Sequence, residues 1–108
     1  MIAGRWYVTE HALRRYVERT RQVTEDRARQ ILADERARSA MLGELIPQTE
    51  GAHLVATAVR RDGCKLWRGP KPRRLRFVVG PGEGHAEALV TVLDAFDGRG
   101  VSRRGEGP

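Results

Sequence analysis

Apolar positions recur with a helical period along the first half of the chain and cluster or alternate as in strands along the second. Arg5 to Val8, with Trp6, Tyr7 and Val8 adjacent, predicts a short first strand. Thr9 then stands as a helix N-cap, and Glu10 places a carboxylate in the first turn, where it favours the helix dipole. Val8 and Leu13 occupy the two positions of a hydrophobic staple. These signals predict a helix from Glu10 to about Arg21. On it Leu13, Tyr16, Val17 and Thr20 share the side that would meet a core, at ~100° per residue. Thr24-Glu-Asp repeats the start signal and predicts a second helix from near Glu25, with Ala28, Ile31 and Leu32 on its apolar stripe. The same phase extended adds Leu42 and Ile46 but also Glu35 and Ser39, so the helix ends anywhere from Arg36 to Leu42. Pro47 sets its upper limit.

The period then changes. His53 to Val59 is a β-rich run, and Arg61-Asp62-Gly63 is a turn signal. Lys65, Leu66 and Trp67 predict a second short strand, ended by Gly69-Pro70-Lys71-Pro72. Leu75, Phe77 and Val79 alternate with Arg74, Arg76 and Val78, a strand with one strongly apolar face. Gly80 to Gly84 reads as a loop, and Ala88 to Leu93 is dense enough in apolar residues to be a central strand. The layout is α+β: two N-terminal helices packed on an antiparallel sheet of about four strands. Residues 1–96 form a single domain. Residues 97–108 hold four Gly and three Arg and almost nothing apolar, and predict a disordered basic tail.

Composition narrows the class. With 108 residues, 31% of them charged, the chain can bury one modest core without disulfide or metal. No apolar run approaches a membrane span and no signal-peptide core is present, so a cytoplasmic protein that avoids the membrane is expected. Cys64 is the lone cysteine, which agrees with a reducing compartment. The net charge of +6 is unevenly placed. Residues 60–76 carry Arg60, Arg61, Lys65, Arg68, Lys71, Arg73, Arg74 and Arg76 against Asp62 alone, a net +7 that leaves −1 for the rest. Such a segment suits RNA or another anionic partner. Trp67, between the cations, would add a stacking surface for single-stranded nucleic acid, or else point into the core.

The first helix carries a second pattern. With His11 at zero, Glu18 falls near −20°, Arg15 near 40° and Arg19 near 80°, one polar stripe opposite the apolar side. His11, titrating near neutrality, could act as general base or acid, Glu18 as second proton carrier, and Arg15 and Arg19 as a phosphate clamp. The same residues would also make an ordinary solvated face with an Arg15–Glu18 pair, or structural hydrogen bonds to the sheet. The three histidines and Cys64 lack ligand spacing, and no Gly-Lys-Ser/Thr follows the glycine loop, so neither a metal nor a nucleotide cofactor is expected.

The string Thr9-x-His11-Ala12-x-x-Arg15-Tyr16-x-Glu18-Arg19, followed by a second helix and a sheet ending in Leu89-Val-Thr-Val-Leu93, resembles a family of small bacterial and phage proteins of unassigned function. That family is distantly similar to the RelE and BrnT ribonuclease toxins, and the resemblance spans roughly residues 6–94. It implies helices against an antiparallel sheet, RNA binding with metal-independent cleavage by basic and aromatic side chains, no cofactor, and an antitoxin partner covering the basic face. Only His11, Arg15, Glu18 and Arg19 match the motif. The competing expectation is a non-enzymatic phage or bacterial protein that inhibits a host protein through its basic surface. Oligomeric state is open on both.

Overall fold

The computed structural model describes residues 2–56, 63–82 and 87–94. The chain opens with a hairpin, β1 (Ile2–Ala3) and β2 (Trp6–Val8), that turns at Gly4 with φ of 68°. Three helices follow, α1 (Glu10–Arg21), α2 (Glu25–Ala33) and α3 (Glu35–Glu50), then β3 (His53–Ala56), β4 (Lys65–Arg68), β5 (Arg76–Pro81) and β6 (Glu87–Leu93). All the described strands join one sheet in the order β1-β2-β6-β5-β4-β3. β2 and β6 run parallel, and the other neighbours are antiparallel. No described helix is long and apolar enough to cross a membrane.

The α+β class and the helix starts agree with the sequence. Thr9 Oγ1 accepts from the Ala12 N–H at 3.1 Å and Thr24 Oγ1 from the Arg27 N–H at 3.2 Å, each satisfying a donor at a helix start. Val8 and Leu13 are fully buried, and β6 lies between β2 and β5 as a central strand.

Three expectations are corrected. The helical region is three helices rather than two, because Asp34 takes an extended conformation and caps both neighbours. Its carboxylate accepts from the Ala37 N–H at 2.9 Å, starting α3 afresh. Pro47, expected to lie beyond the last helix, sits inside α3. Proline removes the bond to the carbonyl four residues back, here that of Gly43, and both residues are exposed, so that carbonyl is open to solvent instead of buried without a donor. Finally, among the described residues the sheet has six strands and is mixed, not four and antiparallel. The parallel pair joins β2 to β6 across nearly the whole sequence, a pairing that local patterning does not encode. Residues 57–59 of the expected β-rich run, 61–62 of the turn, 83–84 of the loop, and the 97–108 tail lie outside the described residues.

The core sits between the helices and one face of the sheet. It combines Trp6 and Val8, Leu13, Tyr16 and Val17, Leu45, and Phe77, Val79, Leu89 and Val92, all almost fully buried. Each such side chain contributes roughly 1.5–3 kcal/mol. α3 is fastened to the hairpin by Thr49, whose buried hydroxyl lies 3.0 Å from the Ala3 and Ile46 carbonyl oxygens. Arg5 donates at 3.2 Å to the carbonyls of Thr49 and Glu50, a cation on the negative end of α3.

Candidate functional site

β2 stops at Val8, and α1 continues beside β6 where a longer strand would have paired. The Thr9 N–H extends the parallel ladder to the Leu89 carbonyl at 3.3 Å, and the Thr9 hydroxyl donates to the same oxygen at 3.0 Å. Farther along the helix, Arg19 Nε donates to the Val92 carbonyl at 3.5 Å. The helix is thus held along the strand, its apolar side in the core and its polar stripe beside the opposite face of the sheet.

A concavity of about 350 Å³ opens there, walled by His11, Arg15 and Arg19. Its floor is Val78 and Cys64 with Val90, Thr91 and Leu93 of β6. The register of β5 and β6 shifts between Val78 and Val79, so that Val79 faces Leu89 while Val78 faces Thr91. Val90 is therefore an extra residue on β6, and this bulge brings Val90 and Thr91 to the groove together. Cys64 is buried, close enough that a Cβ on Gly80 would stand 2.9 Å from its Sγ.

The four motif residues separate here. Glu18 does not line the groove; it accepts from Arg15 NH1 at 2.9 Å and pairs with Arg14 Nε at 3.8 Å, its side chain only 10% exposed. His11 is exposed, and its Nδ1 lies 3.3 Å from Arg14 NH2. A guanidinium only donates, so Nδ1 is the acceptor and Nε2 carries the proton. Partial burial, then the charges of Arg15 and Arg14, hold the imidazole below its ordinary 6.5, against the pull of Glu18 and Glu25.

Strand alternation distributes the basic segment over two faces. Arg76 pairs with Leu93 and Arg68 with Arg76, which puts both on the groove face by register. Lys65 pairs with Val79 on the core face, and its ammonium lies 3.1 Å from Glu87. Trp67 also turns to the core face, edge-on to Trp6 at 5.2 Å, with the Arg5 guanidinium 4.9 Å from its ring. Lys71, Arg73 and Arg74 are exposed between β4 and β5, and the charge of Arg73 reaches Tyr16 and Glu44 on the helical side. Arg60 and Arg61 lie outside the described residues.

Two features escaped the sequence. One is a polar cluster joining α1 to α3: Arg21 grips Glu44 with two bonds of 2.8 and 2.7 Å, and the Tyr16 hydroxyl donates to Glu44 at 3.0 Å while accepting from Gln48 at 2.9 Å. The Arg21 hydrogen bonds hold the Glu44 carboxyl below its ordinary range, and burial followed by Glu44 pushes the Tyr16 phenol up. Its partners are more than twenty residues apart, beyond any helical spacing. The other is Tyr7, exposed on β2 between buried Trp6 and Val8; three adjacent apolar residues gave the strand but no sign of which one faces out.

No protein-family model matches this chain, and no curated protein and no solved structure matches it.

Proposed function

We propose that this protein binds RNA, taking a backbone phosphate into the groove between α1 and the open face of the sheet, as the resemblance to the RelE and BrnT toxin group suggests. The observation that carries this reading is that His11, Arg15 and Arg19 wall one concavity over a mostly apolar floor. Cations on a low-dielectric wall focus their field into a cleft, and guanidinium groups suit the bidentate geometry of phosphate. His11 adds a neutral Nε2–H donor beside them. Arg68 and Arg76, on the same face by register, lengthen the basic track.

The geometry favours binding over cleavage. A metal-independent ribonuclease needs one group to take the 2′-hydroxyl proton and another to protonate the leaving oxygen. Glu18 is committed to two arginines, and His11 offers a donor rather than a base while Arg14 holds Nδ1. Cleavage as a second reading draws on the depressed His11 pKa, which keeps the ring neutral near pH 7 and basic once Arg14 releases it.

Anisotropy of a labelled oligoribonucleotide, titrated with salt, tests the binding. Several phosphate contacts should give a steep loss of affinity, with a log–log slope of about −0.7 per phosphate engaged. Replacing Arg15 and Arg19 by Ala should weaken binding and flatten the slope; replacing Lys71, Arg73 and Arg74 should do less. The opposite ranking would move RNA binding to the exposed turn, and no salt-sensitive RNA binding at all would favour the protein-inhibiting role.

A further inference from the structure

We propose that Tyr7, with Ile2 and Val90 beside it, is the shelf on which an unpaired nucleobase stacks next to the phosphate held by the groove; this rests on the RNA-binding reading above. Ile2 pairs with Tyr7 and Tyr7 with Ala88, a single row across three strands on the face turned away from the core. Val90 follows Ala88 by two residues, and the bulge sets it in the groove beside the wall formed by His11. Ile2 is 67% exposed, Tyr7 45% and Val90 37%, so three apolar side chains meet water around the covered Ala88, on the face that carries the cations. Exposed apolar side chains bordered by positive charge match a ligand that joins a flat apolar ring to a nearby anionic group. Single-stranded RNA is such a ligand, since every base has a π-face and every nucleotide a phosphate. A duplex hides its bases in the stack, and a polyanion such as poly-glutamate carries charge without a ring.

Trp67 would have been the obvious stacking residue, but its indole is engaged with Trp6 and Arg5 on the other face. Tyr7 is the aromatic ring that β2 places on the groove side.

The test compares oligouridine, an abasic oligonucleotide of equal charge, duplex RNA and poly-glutamate, by anisotropy over a salt series. Wild-type protein should prefer oligouridine to the other three. Tyr7→Ala should lower oligouridine affinity roughly 5- to 150-fold, the range of one base–aromatic stack, without changing the salt slope or the abasic affinity. Tyr7→Phe and Tyr7→Trp should restore it. Because Tyr7 is exposed, the unchanged slope and far-UV circular dichroism verify that the variant is folded. If Tyr7→Ala binds oligouridine like wild type while the salt slope persists, the shelf is wrong and the phosphate groove stands. If wild type binds no RNA, or binds poly-glutamate equally well, both fall.

Discussion

The Arg15 guanidinium donates to the Glu18 carboxylate across 2.9 Å, one turn along the same helix, and only the arginine faces the groove. A pair that the helical wheel put on one stripe is thereby divided into a ligand-facing cation and the anion that aims it. Glu18 positions Arg15, and it also pairs with Arg14, the residue that holds His11.

Replacing Glu18 by Gln should accordingly act on stability and on Arg15, and not on proton transfer. Loss of a mostly buried charge between two arginines costs about 1–3 kcal/mol, read as a lower urea midpoint. Any RNA cleavage should keep its pH profile in this variant; a lost acidic or basic limb would return Glu18 to the chemistry.

His11 gives the groove a pH dependence. Its folded pKa lies below 6.5, so the folded state binds the proton less readily than the unfolded chain. The sign follows: this contribution to stability is present above about 6.5 and is lost as pH falls through the folded value. RNA affinity should move the other way, because protonation adds a cation beside Arg15 and Arg19. Affinity at constant salt should rise on acidification from pH 8 to pH 5 in wild type and stay flat in His11→Ala.

The Tyr16–Glu44–Arg21 cluster should shape stability at both ends of the pH scale. Glu44 is held below its ordinary 4.5, so its contribution is present above that pH and is lost as pH falls through the folded value. Tyr16 is raised above 10.0, so its contribution is lost as pH rises through its folded value. Glu44 stays partly open to solvent, and the acid limb should be worth only about 1 kcal/mol. Urea denaturation from pH 3 to pH 7 should show that limb in wild type and a flatter one in Glu44→Gln.

Gly4 is where the hairpin meets α3. Its φ of 68° is strained for any side chain, and a Cβ would drive into Thr49 Oγ1 and stand 2.9 Å from the Ile46 carbonyl oxygen. Gly4→Ala should destabilise the protein by about 2–4 kcal/mol, while Gly43→Ala, at a helical position with nothing near its Cβ, should be neutral or stabilising. Equal melting temperatures for the two variants would show that the hairpin is not packed on α3 in this way.

What the residues alone determined is local. Thr9 and Thr24 start helices because a short hydroxyl side chain reaches the backbone donors three residues on, which needs no other region of the chain. The stripe of His11, Arg15 and Arg19 follows from helical spacing, and β6 from its apolar density. Asp34 was available as a third start signal, but the helical phase could be extended past it to Leu42 and Ile46, which concealed it. Tertiary structure alone decided the rest. A wheel shows which residues share a side but not what that side faces, and the groove exists because β2 stops short and α1 takes its place along β6. The basic segment looked like one surface because charge is counted along the chain. In space, strand alternation sends successive side chains to opposite faces, setting Arg68 and Arg76 on the groove side and Lys65 and Trp67 on the other.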